Sequence, residues 1–121
     1  MKDCEMEDDK KLTDRQLLEL AAQAAKIPIE WSDSWNCFQR DAGPVNAGYS
    51  QFVLWRPLTD DGDALRLAVQ LCMQVEMSKA WQHASVYGHS FRIDEEIIGD
   101  AFLAARRAIV RAAAALAQEP A

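Results

Sequence analysis

The stretch Leu58-Thr-Asp-Asp-Gly-Asp-Ala-Leu-Arg-Leu-Ala-Val-Gln-Leu-Cys-Met-Gln-Val-Glu-Met-Ser78 changes hydrophobic period part-way along, and that change decides the fold class. Thr59 or Asp60 is placed to cap a helix, with acids in the first turn to complement the helix dipole. Ala64, Leu65, Leu67, Ala68, Val69, Leu71 and Cys72 then make a helix apolar almost all round, which predicts deep burial. From Met73 the period falls to two. Met73, Val75 and Met77 alternate with Gln74, Glu76 and Ser78, the pattern of a strand with one wet face. A helix running directly into a half-buried strand means mixed secondary structure.

Upstream, Thr13 and Gln16 have capping-box spacing, and Leu12 and Leu17 have the spacing of a hydrophobic staple. They open a helix through Leu17, Leu18, Leu20, Ala21, Ala24 and Ala25. Pro28 stops it and pushes Ile27 toward extended geometry. Ile29, Trp31, Trp35 and Cys37 share one parity, which reads as a strand from Ile29 to Phe38. A loop through Asp41–Pro44 and Asn46–Gly48 leads to a second strand at Gln51–Trp55.

Downstream, Lys79–Arg92 is less regular. Trp81, Val86, Tyr87 and Phe91 suggest a weak strand at about Ser85–Ile93, with Gly88 as a turn or bulge. Asp94 is expected to cap the final helix, with Glu95 and Glu96 in its first turn. Ile98, Phe102, Ala105, Ile109, Ala112 and Leu116 make its buried stripe, and the many alanines permit close helix approach. Arg106, Arg107 and Arg111 form a basic ridge expected to pair within the molecule. The order is α-β-β-α-β-(β)-α. The expected fold class is α+β: three helices with a small, mainly antiparallel sheet of three or four strands. No internal repeat is evident on this reading.

The 121 residues suit a single domain, with a flexible acidic tail at 1–11 and the domain over 12–119. Hydrophobic residues at 50% and charged residues at 26% place the chain in the globular class. No apolar run is long enough to cross a bilayer, and the charged start lacks a signal-peptide core. Cys4, Cys37 and Cys72 are an odd number without a close pair. They read as free thiols in a reducing compartment, hence a cytoplasmic protein. The formal net charge of −6 argues against direct nucleic-acid binding and favours solubility or a basic protein partner.

No constellation for chemistry assembles along the chain. Asp60, Asp61 and Asp63 lack the alternating ligands and distal glutamate of a calcium loop, so helix capping is their expected role. His83, His89, Cys37 and Cys72 include no pair at metal-ligand spacing. Cys37 has no neighbouring positive charge to activate it as a nucleophile. GxSxG, phosphate-loop and dinucleotide-binding motifs are missing. No catalytic residue, metal or cofactor is expected. Of Trp31, Trp35, Trp55 and Trp81, core packing accounts for some, while strand ends can present one or two as interface anchors.

Three segments nevertheless carry a resemblance. Leu12-Thr-Asp-Arg-Gln-Leu-Leu-Glu-Leu-Ala-Ala22, Trp55-Arg-Pro-Leu-Thr-Asp-Asp-Gly-Asp-Ala-Leu-Arg-Leu-Ala-Val69 and Arg106-Arg-Ala-Ile-Val-Arg-Ala-Ala113 resemble, in order and spacing, small accessory proteins of tailed bacteriophages and prophages. The resemblance implies a protein acting inside a bacterial cell and carries over no catalytic residue.

The leading expectation is a non-catalytic protein that binds a host or anti-phage defence protein. One alternative is a small enzyme or nucleotide-binding protein whose site forms only in three dimensions, recognisable as a pocket gathering Trp, His or Arg. Another is a dimerisation module, so a monomer and a homodimer both remain open. The partner surface is expected at Trp81, His83, Tyr87 and His89, flanked by Glu76, because loops on a rigid scaffold are where recognition usually lives. The competing reading has Trp81 and Tyr87 closing the end of the core.

Overall fold

A computed structural model describes residues 12–44, 50–88 and 91–118. The tail at 1–11, the end of the domain at 119, the whole Asn46–Gly48 loop and His89 lie outside the described residues. The chain runs α1 (Asp14–Ala25), β1 (Ile29–Ser32), β2 (Cys37–Pro44), β3 (Ser50–Trp55), α2 (Asp61–Gln70), β4 (Gln74–Ser78), β5 (His83–Tyr87), β6 (Arg92–Glu96) and α3 (Ala101–Gln118). The α+β class and the antiparallel pairing are as expected. The strands number six among the described residues and form two three-stranded meanders, β1-β2-β3 and β4-β5-β6.

Local chemistry accounts for the element boundaries. The Gln16 N–H donates to Thr13 Oγ1 at 3.1 Å and the Thr13 N–H to Gln16 Oε1 at 2.9 Å, completing the capping box of α1. Asp60 rather than Thr59 caps α2, its carboxylate accepting the Asp63 N–H at 2.8 Å. The stretch Ile29–Phe38 is not one strand but a hairpin. Asn36 takes a positive φ of 54° and turns the chain between β1 and β2. The single strand expected at Ser85–Ile93 is likewise two strands, β5 and β6, turning past Gly88. A Cβ there would come within 2.5 Å of the Phe91 ring, so the close approach demands glycine.

The start of the last helix is also corrected. Asp94, Glu95 and Glu96 belong to β6, and the cap is Asp100, whose Oδ1 accepts the N–H groups of Phe102 at 2.9 Å and Leu103 at 3.2 Å. The buried face of α3 agrees with expectation at Ile109 and Ala112 and differs elsewhere. Ile98 is 78% and Phe102 66% exposed, whereas Ala104, Ala108, Val110, Ala112, Ala113 and Ala114 are buried. Small side chains let α3 lie against α1, α2, β5 and β6 at once, a close approach that phenylalanine would prevent. On α2, Leu67 and Ala68 are buried but Leu65 and Val69 are exposed, so its burial is one-sided. The ridge on α3 pairs within the molecule as expected: Arg106 with Asp61 at 2.6 Å, Arg107 with Asp14 at 3.2 Å, and Arg111 with Glu95.

Period-two alternation aims one face of each sheet inward. Phe38 and Trp55 from the first sheet, and Ala84 and Val86 from the second, join the three helices in one buried cluster. Trp55 is core and Trp31 is half-buried, meeting Phe38 edge-on at 5.0 Å. Trp35 and Trp81 stand out at 67% and 78% exposure.

The two halves prove to be one design used twice, contrary to the expectation of no repeat. Lys26 and Cys72 follow their helices with φ of 59° and 54°. The next residues, Ile27 and Met73, both donate to the fifth carbonyl back, Ala22 and Ala68, at 2.9 Å. Glu30 pairs with Gln39 across β1-β2 as Glu76 pairs with Ser85 across β4-β5. In the intervening turns, the Trp35 N–H donates to Ser32 Oγ at 3.3 Å and the Trp81 N–H to Ser78 Oγ at 3.1 Å, before Asn36 and Gln82 at φ of 54° and 55°. All these pairs keep the same sequence spacing. The described residues thus form two αβββ units followed by α3.

Candidate functional site

Register across the second sheet lines up three rows on its outer face: Glu76 beside Ser85 beside Asp94, Gln74 beside Tyr87 beside Arg92, and Ser78 beside His83 beside Glu96. Residues of opposite parity, Ala84, Val86 and Ile93, face the core. Strand pairing therefore gathers side chains that are distant in sequence. Together they line an open cleft of about 700 Å³ that holds Glu76, Trp81, His83 and Tyr87 with Ser85, Arg92 and Asp94.

Trp81 sits at the tip of the β4–β5 turn. That turn is tied down by the Ser78 hydroxyl, by Gln82 Nε2 donating to the Lys79 carbonyl at 2.7 Å, and by the Ile97 N–H donating to the Gln82 carbonyl at 2.7 Å. The ring is thus exposed but held by a fixed backbone. It does not close the core, which corrects the competing reading for this residue.

Five of the polar side chains beside it hold one another. Tyr87 OH donates to Glu76 Oε1 at 2.9 Å, and Ser85 Oγ donates to Asp94 Oδ1 at 2.5 Å. Arg92 Nε donates to the same Asp94 oxygen at 2.8 Å, and the guanidinium lies 5.3 Å from the Tyr87 ring centroid. The hydrogen bond from Ser85, then that from Arg92, stabilises ionised Asp94 and holds its pKa below the usual carboxylate value. The bond to Glu76 keeps Tyr87 protonated and raises its pKa above the usual phenol value. Among the described residues, no three His, Cys, Asp or Glu side chains come together as metal ligands.

Four of the five expected site residues therefore share one face, and His89 lies outside the described residues. Sequence reasoning missed Ser85, Arg92 and Asp94. Their signal was available in the alternation of Ser85 and Tyr87 before Gly88 and of Arg92, Asp94 and Glu96 after it, once that glycine is read as a hairpin turn.

The equivalent region of the first unit carries different chemistry. Its groove, about 670 Å³, is lined by Trp35, Phe52, Arg40, Arg56, Asp63 and Arg66 among others. Comparison with protein-family models, curated proteins and solved structures returns no match to this chain.

Proposed function

We propose that the chain is a non-catalytic phage or prophage accessory protein that binds a host or anti-phage defence protein in the bacterial cytoplasm, through the outer face of its second sheet. The observation that carries this reading is Trp81, 78% exposed on a tied turn beside the Tyr87–Glu76 and Arg92–Asp94 pairs. A rigid exposed aromatic with a polar surround is the usual anatomy of an interface anchor. Because the surrounding side chains already hold one another, little further ordering opposes association. The acidic surface, at −6 overall, supports a basic partner and fast encounter at low salt.

The test is affinity capture from bacterial lysate with the wild-type chain and Trp81→Ala in parallel, at several salt concentrations. A stoichiometric protein partner that Trp81→Ala loses, with an unchanged unfolding midpoint, supports the reading. No stoichiometric partner, or equal capture by the variant, refutes it.

A further inference from the structure

We propose that the groove of the first unit binds a small anionic ligand carrying an aromatic ring, of the nucleotide class, with the ring against Trp35 and Phe52 and the phosphates on Arg40 and Arg56. This site is separate from the face of the second sheet and does not depend on its role.

Charge is distributed unlike the rest of the chain here. Overall, 19 acids outnumber 13 bases. Around this groove and the recess of about 300 Å³ that shares Arg40, Asp63 and Arg66 with it, Lys26, Arg40, Arg56 and Arg66 face only Asp41, Asp60 and Asp63. Asp60 caps α2, and Asp63, only 6% exposed, accepts the Arg56 N–H at 2.9 Å and Arg66 Nη2 at 2.7 Å. Asp63 thereby holds the Arg56 backbone and the Arg66 guanidinium in place.

The arginines elsewhere have partners. Arg92 has Asp94, Arg106 has Asp61, Arg107 has Asp14, Arg111 has Glu95, and Arg15 stacks on Trp31 at 4.0 Å. Among the described residues, the Arg40 and Arg56 side chains have no such partner, so their full donor sets remain open. A guanidinium fork matches phosphate oxygens two at a time.

The aromatic half follows from exposure. Trp35 and Phe52 are 67% and 52% exposed and line the same groove. Flat apolar faces beside free cations suit a base or similar ring stacked with its phosphates on the arginines. The groove volume falls within the range of small-molecule sites. The chain's net charge disfavours a nucleic-acid polymer, which needs a longer basic track.

Calorimetric titration of the full chain with ADP tests the site, with adenosine and inorganic pyrophosphate as separate arms. ADP is expected to bind saturably, and adenosine and pyrophosphate each at least tenfold more weakly. Arg56→Gln and Trp35→Ala, both at exposed positions, should each weaken ADP at least tenfold with unchanged circular dichroism. Trp81→Ala should leave ADP affinity as it is, which separates this site from the proposed protein interface. Absence of saturable ADP binding, or wild-type affinity in Arg56→Gln, overturns the proposal. Pyrophosphate binding as tightly as ADP removes the ring from the site and overturns it equally.

Discussion

Replacing Leu67 by alanine, and separately Phe102 by alanine, sets the two faces of the helical layer against each other. Leu67 is 1% exposed at the centre of the buried cluster, between α2 and the inner face of the fold. Leucine to alanine removes three carbons, a transfer loss of about 2.4 kcal/mol at ~0.8 kcal/mol per buried carbon. The surrounding alanines and Val110 belong to helices held on several sides, so the space collapses incompletely, and the cavity raises the total to about 3–4 kcal/mol. Phe102 is the larger side chain but is 66% exposed, so its removal should cost less than about 1 kcal/mol. Urea unfolding followed by circular dichroism should lower the midpoint by about 2 M for Leu67→Ala and by well under 1 M for Phe102→Ala. Thermal midpoints should fall by roughly 10–15 °C and a few degrees respectively. Equal losses, or a larger loss at Phe102, would mean that α3 is rotated relative to the face described here.

Further outcomes follow from the polar contacts. Asp60→Ala removes the α2 cap and should cost about 1 kcal/mol in denaturant unfolding, by the same amount with or without calcium or magnesium; a melting rise with either ion that the variant loses would contradict the capping role. Asp63→Ala leaves the Arg56 N–H unpaired in a part-buried site and should cost more, about 2 kcal/mol. The Tyr87 phenol, held by Glu76, should titrate above the ordinary value of about 10 in the folded protein, read as tyrosinate absorbance against a Tyr87→Phe control. A raised native pKa means that the folded state holds this proton more tightly. Its contribution to stability is therefore complete below the ordinary phenol pKa and is lost as pH rises through the native one. Glu76→Gln should bring the titration back toward the ordinary range, and a native midpoint at or below that range would count against the hydrogen bond.

The signals that sequence reading captured are those completed within one turn of chain. Thr13 and Gln16 satisfy each other's backbone across three residues, Asp60 does the same for Asp63, and Pro28 stops α1 by its own sterics. The switch from helical to alternating period between Val69 and Val75 likewise needs no distant partner, and with it the α+β class was legible. Glu76, Trp81, His83 and Tyr87 were grouped from residue type and nearness in sequence, and strand pairing across one hairpin is what puts them around one cleft.

What only tertiary structure decided was which of several adequate faces is buried. The pair Ile98 and Phe102 extends the helical stripe of Ile109 and Ala112 as well as the pair Ala104 and Ala108 does. Hydrophobicity favours the first, but α1 and the second sheet approach α3 closely enough only over the second. Asp94 shows the same limit: its local context suits a helix cap, and antiparallel pairing with Ser85 places it in a strand. The two-unit repeat escaped notice because it is kept in backbone conformation, at Lys26 and Cys72 and at Asn36 and Gln82, where the side chains differ. The groove of Arg40, Arg56 and Arg66 with Trp35 and Phe52 escaped for a related reason. It draws on β2, β3, α2 and a turn, and charges that far apart in sequence combine into one field only after the strands have paired and α2 has packed beside them.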